Sequence, residues 1–278
     1  MKYPISRITL LSFCWKDSRA ELEVGKTMMG EETGNINSRD SEKPKVYIAG
    51  AGPGDPELLT VKVAKLLEKA DLIVYAGSII PDSLLSRYKA RKINSHGMKL
   101  EEIISLLERE AKAGKLVVRL QSGDPSVYSA INEQIQELER RGVECEVIPG
   151  VSSVFASAAA LKVELTCPGV SEFVFIGRPA GRTLKEDYLE EVAKIPCTIV
   201  LLLGIDRIEY VVEKVSKIRG GDEPVAVVYH ATRDDELVLK GKLSDIAEKV
   251  KKAGIKRTAT IIIGKALENR GRRSVLYG

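Results

Sequence analysis

Residues 45–77, KVYIAGAGPGDPELLTVKVAKLLEKADLIVYAG, decide the fold. Val46 to Ala49 is a short apolar run with the length of a buried strand, and it ends in Gly50-Ala51-Gly52-Pro53-Gly54-Asp55-Pro56. A helix follows, with Leu58, Val61, Leu66 and Leu67 among its apolar positions, and Leu72 to Ala76 is a second buried strand. Strand, glycine turn, helix, strand is a β-α-β unit, in which the strands run parallel and the crossover is right-handed.

The alternation continues outward from that unit. Leu100 to Ala113 repeats apolar residues at Ile103, Ile104, Leu106 and Leu107, and Gly114 sits where a helix C-cap belongs. Leu116 to Leu120 reads as strand, Val127 to Arg141 as a helix closed by Gly142, and Cys145 to Ile148 as a strand running into Pro149-Gly150. The small-residue stretch Ser152 to Ala160 reads as a connecting helix between two lobes. Beyond it, strands are predicted at Phe173 to Ile176, Thr198 to Leu203, Val225 to Tyr229, Leu237 to Leu239 and Thr260 to Ile263. The Arg233-Asp234-Asp235 turn joins two of them without room for a helix, so the second sheet is predicted to be mixed. The predicted fold class is therefore α/β, with a parallel amino-terminal lobe over 45–150, a linker over 151–168 and a mixed carboxy-terminal lobe over 169–278.

Residues 1–44 differ in style. Glu31 to Pro44 is Gly/Asn/Ser/Asp/Glu/Lys-rich without periodicity and reads as a flexible extension. Ile8 to Trp15 is apolar, but it is short, meets Lys16 and Asp17 at once and has no small-residue cleavage site, which speaks against a signal peptide. Ala20 to Thr27 (AELEVGKT) loosely fits a phosphate-loop pattern. Glu21 and Glu23 inside it would repel phosphate, and no apolar strand leads in, so it reads as a chance match.

Composition narrows the function. The 278 residues are 44% hydrophobic and 29% charged with a net charge of +4, the balance of a soluble globular protein. No apolar run approaches the ~20 residues of a membrane helix. Lys and Arg are interleaved with Asp and Glu rather than massed in a block, which argues against a nucleic-acid partner. Cys14, Cys145, Cys167 and Cys197 form no C-x-x-C pair, and His96 and His230 are the only histidines, so neither a disulfide framework nor a zinc or histidine-based metal site is expected. Neither histidine is accompanied by a G-x-S-x-G nucleophile elbow.

Three loops at successive strand ends carry the chemistry, since ligands of open parallel sheets bind beyond the carboxyl ends of the strands. The first is Gly50 to Pro56, whose glycines permit close backbone approach. Its spacing is G-x-G-x-G rather than G-x-G-x-x-G, and the second strand ends Tyr75-Ala76-Gly77 without the acid that grips an NAD ribose, which disfavours an oxidoreductase. The second is Ser122-Gly123-Asp124-Pro125, where Asp124 can cap the next helix and Gly123 can expose its backbone. The third is Pro149-Gly150-Val151-Ser152-Ser153, with hydroxyls for capping or for a polar ligand.

Together these loops resemble the successive signatures of the tetrapyrrole (corrin/porphyrin) methyltransferases, and the resemblance spans residues 45 to 268. Tyr75-Ala76-Gly77-Ser78, Gly123 to Gln134 (GDPSVYSAINEQ) and Arg178-Pro179-Ala180-Gly181-Arg182-Thr183 resemble the precorrin-4 C11-methyltransferase branch. The resemblance implies a two-lobed enzyme, commonly a homodimer, that holds S-adenosylmethionine in the cleft between lobes and methylates C-11 of precorrin-4 or its cobalt complex to give precorrin-5 in cobalamin biosynthesis. Carried over position by position, the cofactor contacts are Pro53, Ser122, Gly123, Asp124, Ser152, Ser153, Leu203 (where relatives often have Met), Ala231, Thr232, Ala259 and Thr260. Relatives outside this branch often have Asp-x-Leu-Val where Ser78-Ile79-Ile80 stands, so no acidic role transfers there.

The implied substrate is a polycarboxylate macrocycle, so Arg178 and Arg182 are candidates to grip carboxylates, Tyr128 to stack on the ring, and Ser78 and Met98 to line the trough. Surface solvation for the arginines and plain packing for Tyr128 and Met98 are the alternatives. Asp124 and Glu133 are the general-base candidates, against helix capping and a helix-surface position. Arg270, Arg272 and Arg273 read as a frayed basic tail. Rival functions are methylation of another tetrapyrrole carbon, as on uroporphyrinogen III or precorrin-2, an NAD oxidoreductase, or a silent cofactor-binding module.

Overall fold

The computed structural model describes residues 43–77, 79–181 and 184–268. Ser78, Arg182, the stretch 1–42 and the arginines at 270, 272 and 273 lie outside the described residues.

The first sheet holds β1 (Lys45–Gly50), β2 (Leu72–Tyr75), β3 (Arg91–Asn94), β4 (Val117–Gln121) and β5 (Glu144–Ile148), in the order β3-β2-β4-β1-β5 with every pair parallel. Its helices are α1 (Val61–Lys69), α2 (Asp82–Ser86), α3 (Leu100–Lys112) and α4 (Ile131–Arg140). Both sheet faces are apolar, because successive strand residues point to opposite sides. Ala49, Ile73, Val118 and Leu120 meet Val63 and Leu67 of α1 and Leu84 and Leu85 of α2. Ile48, Val74 and Val117 meet Ile104 and Leu107 of α3 and Leu138 of α4. Local capping fixes the helix starts: Thr60 Oγ1 accepts from Val63 N–H at 3.3 Å, and Glu102 reaches back to Lys99 N–H at 2.7 Å.

The second sheet holds β6 (Val174–Gly177), β7 (Thr198–Leu201), β8 (Pro224–Tyr229), β9 (Leu237–Lys242) and β10 (Ala259–Ile263), in the order β6-β7-β10-β8-β9. Only β6 and β7 are parallel; β10 runs antiparallel to both neighbours, and β8 and β9 form the hairpin that the Arg233-Asp234-Asp235 turn implied. One face carries α6 (Leu189–Ala193), α7 (Ile208–Arg219) and α8 (Ile246–Lys252). The other carries α5 (Ser153–Leu161), whose Val154, Ala156, Ala158 and Leu161 pack on Val200, Ala226, Val228 and Ile262. The small residues of α5 thus bring it close to the second sheet, making the connecting helix part of that sheet's core.

Two departures from the sequence reading have physical causes. The helix expected from Val127 begins at Ile131, because Tyr128 (φ 54°) and Ala130 (φ 49°) are left-handed and interrupt the α-helical path. Strand β3, RKIN, escaped notice because an edge strand with mostly exposed polar residues has no hydrophobic alternation to read.

Candidate active site

Strand order brings the three glycine loops together. β4, β1 and β5 are parallel neighbours with Gly50 opposite Gln121 and Ala49 opposite Ile148, so their carboxyl ends leave the sheet side by side. The first two loops are then stitched backbone to backbone: Ala51 N–H donates to Gln121 O at 2.7 Å, Gly123 N–H to Gly52 O at 2.8 Å, and Gly52 N–H to Gly123 O at 3.2 Å. The third loop joins through Asp124, whose Oδ2 accepts from Gly150 N–H at 2.9 Å while Oδ1 accepts from Ser126 N–H at 2.8 Å. Glycine is obligatory at the meeting point. A Cβ on Gly50 would lie 2.6 Å from both Gly123 O and Gly150 Cα, and one on Gly150 would lie 2.3 Å from Gly123 O. The sequence reading took Gly50, Gly52, Gly54 and Gly123 as openings for a ligand; Gly50 instead meets Gly123 and Gly150, and Gly52 and Gly123 bond each other.

The second lobe answers with three segments. Because β10 is antiparallel to β7 and β8, its beginning lies beside their ends, with Ala259 opposite Tyr229 and Ile261 opposite Leu201. Leu202-Leu203, His230-Ala231 and Lys256 to Thr260 therefore converge. Together with the first-lobe loops they enclose a cavity of about 590 Å³, within the roughly 300–1,000 Å³ usual for small-molecule sites.

The lobes touch around this cavity at named points. Asp55 N–H donates to Thr232 Oγ1 at 3.1 Å, Arg233 Nη2 donates to Ile79 O, and the Arg178 guanidinium lies 5.4 Å from the Tyr128 ring centroid. Burial lowers the pKa of Arg233 and raises that of the Tyr128 phenol, the latter opposed by the Arg178 charge. Strain concentrates here as well. Tyr128, Ala130, Leu203, His230 and Thr258 all line the cavity with φ between 48° and 56°. Such conformations cost about 1–3 kcal/mol each and persist only where the surroundings hold them. Leu203, 60% exposed, presents an apolar side chain to the opening.

Every cofactor position carried over from the sequence lines this cavity except Thr232, which adjoins it and serves the inter-lobe bond to Asp55. Ser152 also caps α5, accepting from Val154 N–H at 3.3 Å. Of the substrate candidates, Tyr128 lines the cavity and Arg178 stands over its ring, whereas Met98 packs against the α3–α4 core. Of the base candidates, Asp124 lines the cavity with both oxygens engaged, and Glu133 is exposed on α4 away from the lining. Sequence reading missed the cations Arg233, Lys256 and Arg257, which line the cavity against the acids Asp124 and Asp206. They sit on loops, and only the sheet order shows that those loops face the glycine turns. His230, also in the lining, donates through its Nδ1–H to Asp235 Oδ2 at 2.8 Å, and that bond holds the Asp235 carboxyl below its usual range.

Comparison with known proteins gives the following. Residues 45–247 match the family model of the tetrapyrrole (corrin/porphyrin) methylases. The chain is 53% identical over 230 residues to the cobalt-precorrin-4 C(11)-methyltransferase of Methanocaldococcus jannaschii, covering 80% of this chain and 88% of that protein. Among solved structures, a cobalt precorrin-4 methyltransferase superposes with a TM-score of 0.80 at 40% identity, covering 84% of this chain and 99% of the other. The uroporphyrin-III C-methyltransferase of Thermus thermophilus, complexed with S-adenyl homocysteine, superposes with a TM-score of 0.71 at 33% identity, covering 81% and 99%.

Proposed function

We propose that this chain, which belongs to the tetrapyrrole (corrin/porphyrin) methylase family, transfers a methyl group from S-adenosylmethionine to C-11 of precorrin-4 or its cobalt complex, a step of cobalamin biosynthesis. The observation that carries the reading is the convergence of three first-lobe loops and three second-lobe segments on one cavity that combines hydroxyls, small residues and an excess of cations. Preference for the C-11 position over uroporphyrinogen III follows the gradient of likeness: 53% identity to a protein named for C-11 of cobalt-precorrin-4 and 40% to one named for cobalt precorrin-4, against 33% to one named for uroporphyrin-III.

The residues present fit the methyl donor. Pro53, Ala231 and Ala259 offer short side chains against which a flat base can lie, and Ser122, Ser152 and Ser153 offer hydroxyls from two of the glycine loops. The buried amide nitrogen of Gln121, at the cavity wall, has no hydrogen-bond partner among the described residues. When bound, the sulfonium supplies an electrophilic methyl carbon for in-line displacement by an electron-rich pyrrolic carbon.

The chain's own contribution is orientation and exclusion of water. Arg233, Lys256 and Arg257, with Arg178 beside Tyr128, supply positive charge for the carboxylate arms of a macrocycle. Tyr128 offers a ring face and Leu203 an apolar edge to the macrocycle plane. Asp124 holds the second loop to the third, and that work leaves a role as proton acceptor second to it. Holding donor and acceptor carbons in line is worth up to about 7–11 kcal/mol in favourable systems. No helix among the described residues is long and apolar enough to cross a membrane. The family resemblance supports a cytoplasmic homodimer.

Titration calorimetry with S-adenosylhomocysteine and with NAD, followed by methyl transfer to cobalt-precorrin-4, metal-free precorrin-4 and uroporphyrinogen III read by product mass, tests this reading. It predicts micromolar-scale binding of S-adenosylhomocysteine, none of NAD, and a methylated product from precorrin-4 or its cobalt complex. Binding of NAD instead, or methylation of uroporphyrinogen III alone, overturns it.

A further inference from the structure

Beneath the cavity lies a cation without an acidic partner among the described residues. Arg119, on β4 two residues before the cavity-lining Gln121, is 5% exposed, and burial lowers its pKa to about 10. Neutral groups hold its Nε and Nη1. Its Nε donates to Gln134 Oε1 at 3.0 Å, and its Nη1 donates to Ser95 Oγ at 2.9 Å and to Val74 O at 3.3 Å. Ser95 in turn donates to Tyr75 O, through Oγ at 3.0 Å and through its own N–H at 2.8 Å. Gln134 passes the chain upward: with its oxygen fixed by Arg119, its Nε2 donates to Ala130 O at 3.1 Å and to Ser129 O at 3.5 Å.

Those two carbonyls belong to the strained turn between the second glycine loop and α4. Tyr128 and Ala130 are left-handed there, no side chain caps α4, and both residues line the cavity. A neutral amide is required at 134, since it must accept from a guanidinium on one side and donate to carbonyls on the other. A carboxylate satisfies only the first demand.

We propose that Arg119 and Gln134 are positioning residues: the buried guanidinium orients the Gln134 amide, which clamps the Ser129–Ala130 carbonyls and so presets the left-handed turn that shapes the ligand cavity. The proposal rests on the reading that the cavity binds the methyl donor. It explains why a cation with no acidic partner among the described residues is kept in a core where an apolar residue would be cheaper to bury.

Gln134→Glu separates the two roles of the amide. It gives Arg119 a counter-charge while removing the donor to the turn. The expected result is a folded protein with a melting temperature equal to or above that of the wild type, affinity for S-adenosylhomocysteine reduced about tenfold, the worth of one lost hydrogen bond, and faster amide exchange across residues 126–130 in the ligand-free protein. Ala130→Gly, which makes the left-handed conformation unstrained, should restore most of that affinity in the double variant. Gln134→Asn, a neutral amide too short to reach both partners, should lower affinity likewise, and serves if the glutamate variant does not fold. Wild-type affinity and exchange in folded Gln134→Glu or Gln134→Asn overturn the proposal, as does a loss that Ala130→Gly leaves unrepaired. If the wild type itself binds no S-adenosylhomocysteine, the functional reading fails instead, and the exchange comparison still tests the clamp.

Discussion

Replacing Gly50 with alanine adds one methyl group where three loops meet, and the structure fixes what it strikes. The new Cβ would stand 2.6 Å from Gly123 O, 2.6 Å from Gly150 Cα and 2.7 Å from Gly150 N. All three are backbone atoms, so no side chain can swing aside, and the loops themselves must part. Overpacking of this kind costs about 1–3 kcal/mol. Parting the loops also weakens the reciprocal Gly52–Gly123 bonds of 2.8 and 3.2 Å, worth about 1 kcal/mol each. The expected loss of stability is therefore about 2–4 kcal/mol by urea denaturation, accompanied by at least a tenfold loss of S-adenosylhomocysteine affinity by calorimetry. Gly142→Ala is the control. Its φ is 75° and nothing among the described residues lies within 4 Å of the added Cβ, so it should cost about 1–2 kcal/mol of backbone strain and leave affinity unchanged. A Gly50→Ala protein within about 0.5 kcal/mol of wild type, with undiminished affinity, would refute the claim that these glycines are set by mutual contact.

Three other outcomes are expected. Arg178→Met removes the guanidinium 5.4 Å from the Tyr128 ring; stability should fall by no more than about 1 kcal/mol, while KM for the polycarboxylate substrate rises with the S-adenosylhomocysteine Kd unmoved. Lys256→Met with Arg257→Met removes two lining cations, so KM should rise most at low ionic strength and converge on the wild type in high salt; a salt-independent defect would contradict the electrostatic role. Glu110, 6% exposed, is held at a pKa of about 2 by its bonds to Lys115 at 2.6 Å and Arg109 at 2.9 Å. A depressed carboxylate contributes stability that is full above its unfolded pKa and lost as pH falls through the folded one, so the stability gap to Glu110→Gln should be constant above about pH 4.5 and close towards pH 2.

The sequence carried the fold wherever burial imposes a pattern. Val46–Ala49 and Leu72–Ala76 are apolar throughout because both faces of a parallel sheet are covered, and that alone distinguishes them from half-exposed strands. The lone Arg233-Asp234-Asp235 turn was enough to read the second sheet as mixed, and the antiparallel β8–β9 pair is what it joins. Local pattern failed where tertiary contact overrides it. Val127 to Ala130 continues the helical spacing of α4, yet Gln134 and the Asp124 turn hold the segment in left-handed geometry. The glycine loops were legible as a site because their residue types are unusual at strand ends. Arg233, Lys256 and Arg257 were not, since a basic residue on a turn is ordinarily a solvated one, and only the antiparallel placement of β10 brings their segments to the cavity. Met98 illustrates the converse: an apolar residue in a candidate trough loop that packs into the core beneath it.

The most direct test of the account is the position of the transferred carbon. Incubating the protein with methyl-carbon-13 S-adenosylmethionine and cobalt-precorrin-4 or metal-free precorrin-4, then locating the label in the product by NMR, should place it on C-11 alone. Label on another ring carbon, or none transferred from a donor that demonstrably binds, would contradict it.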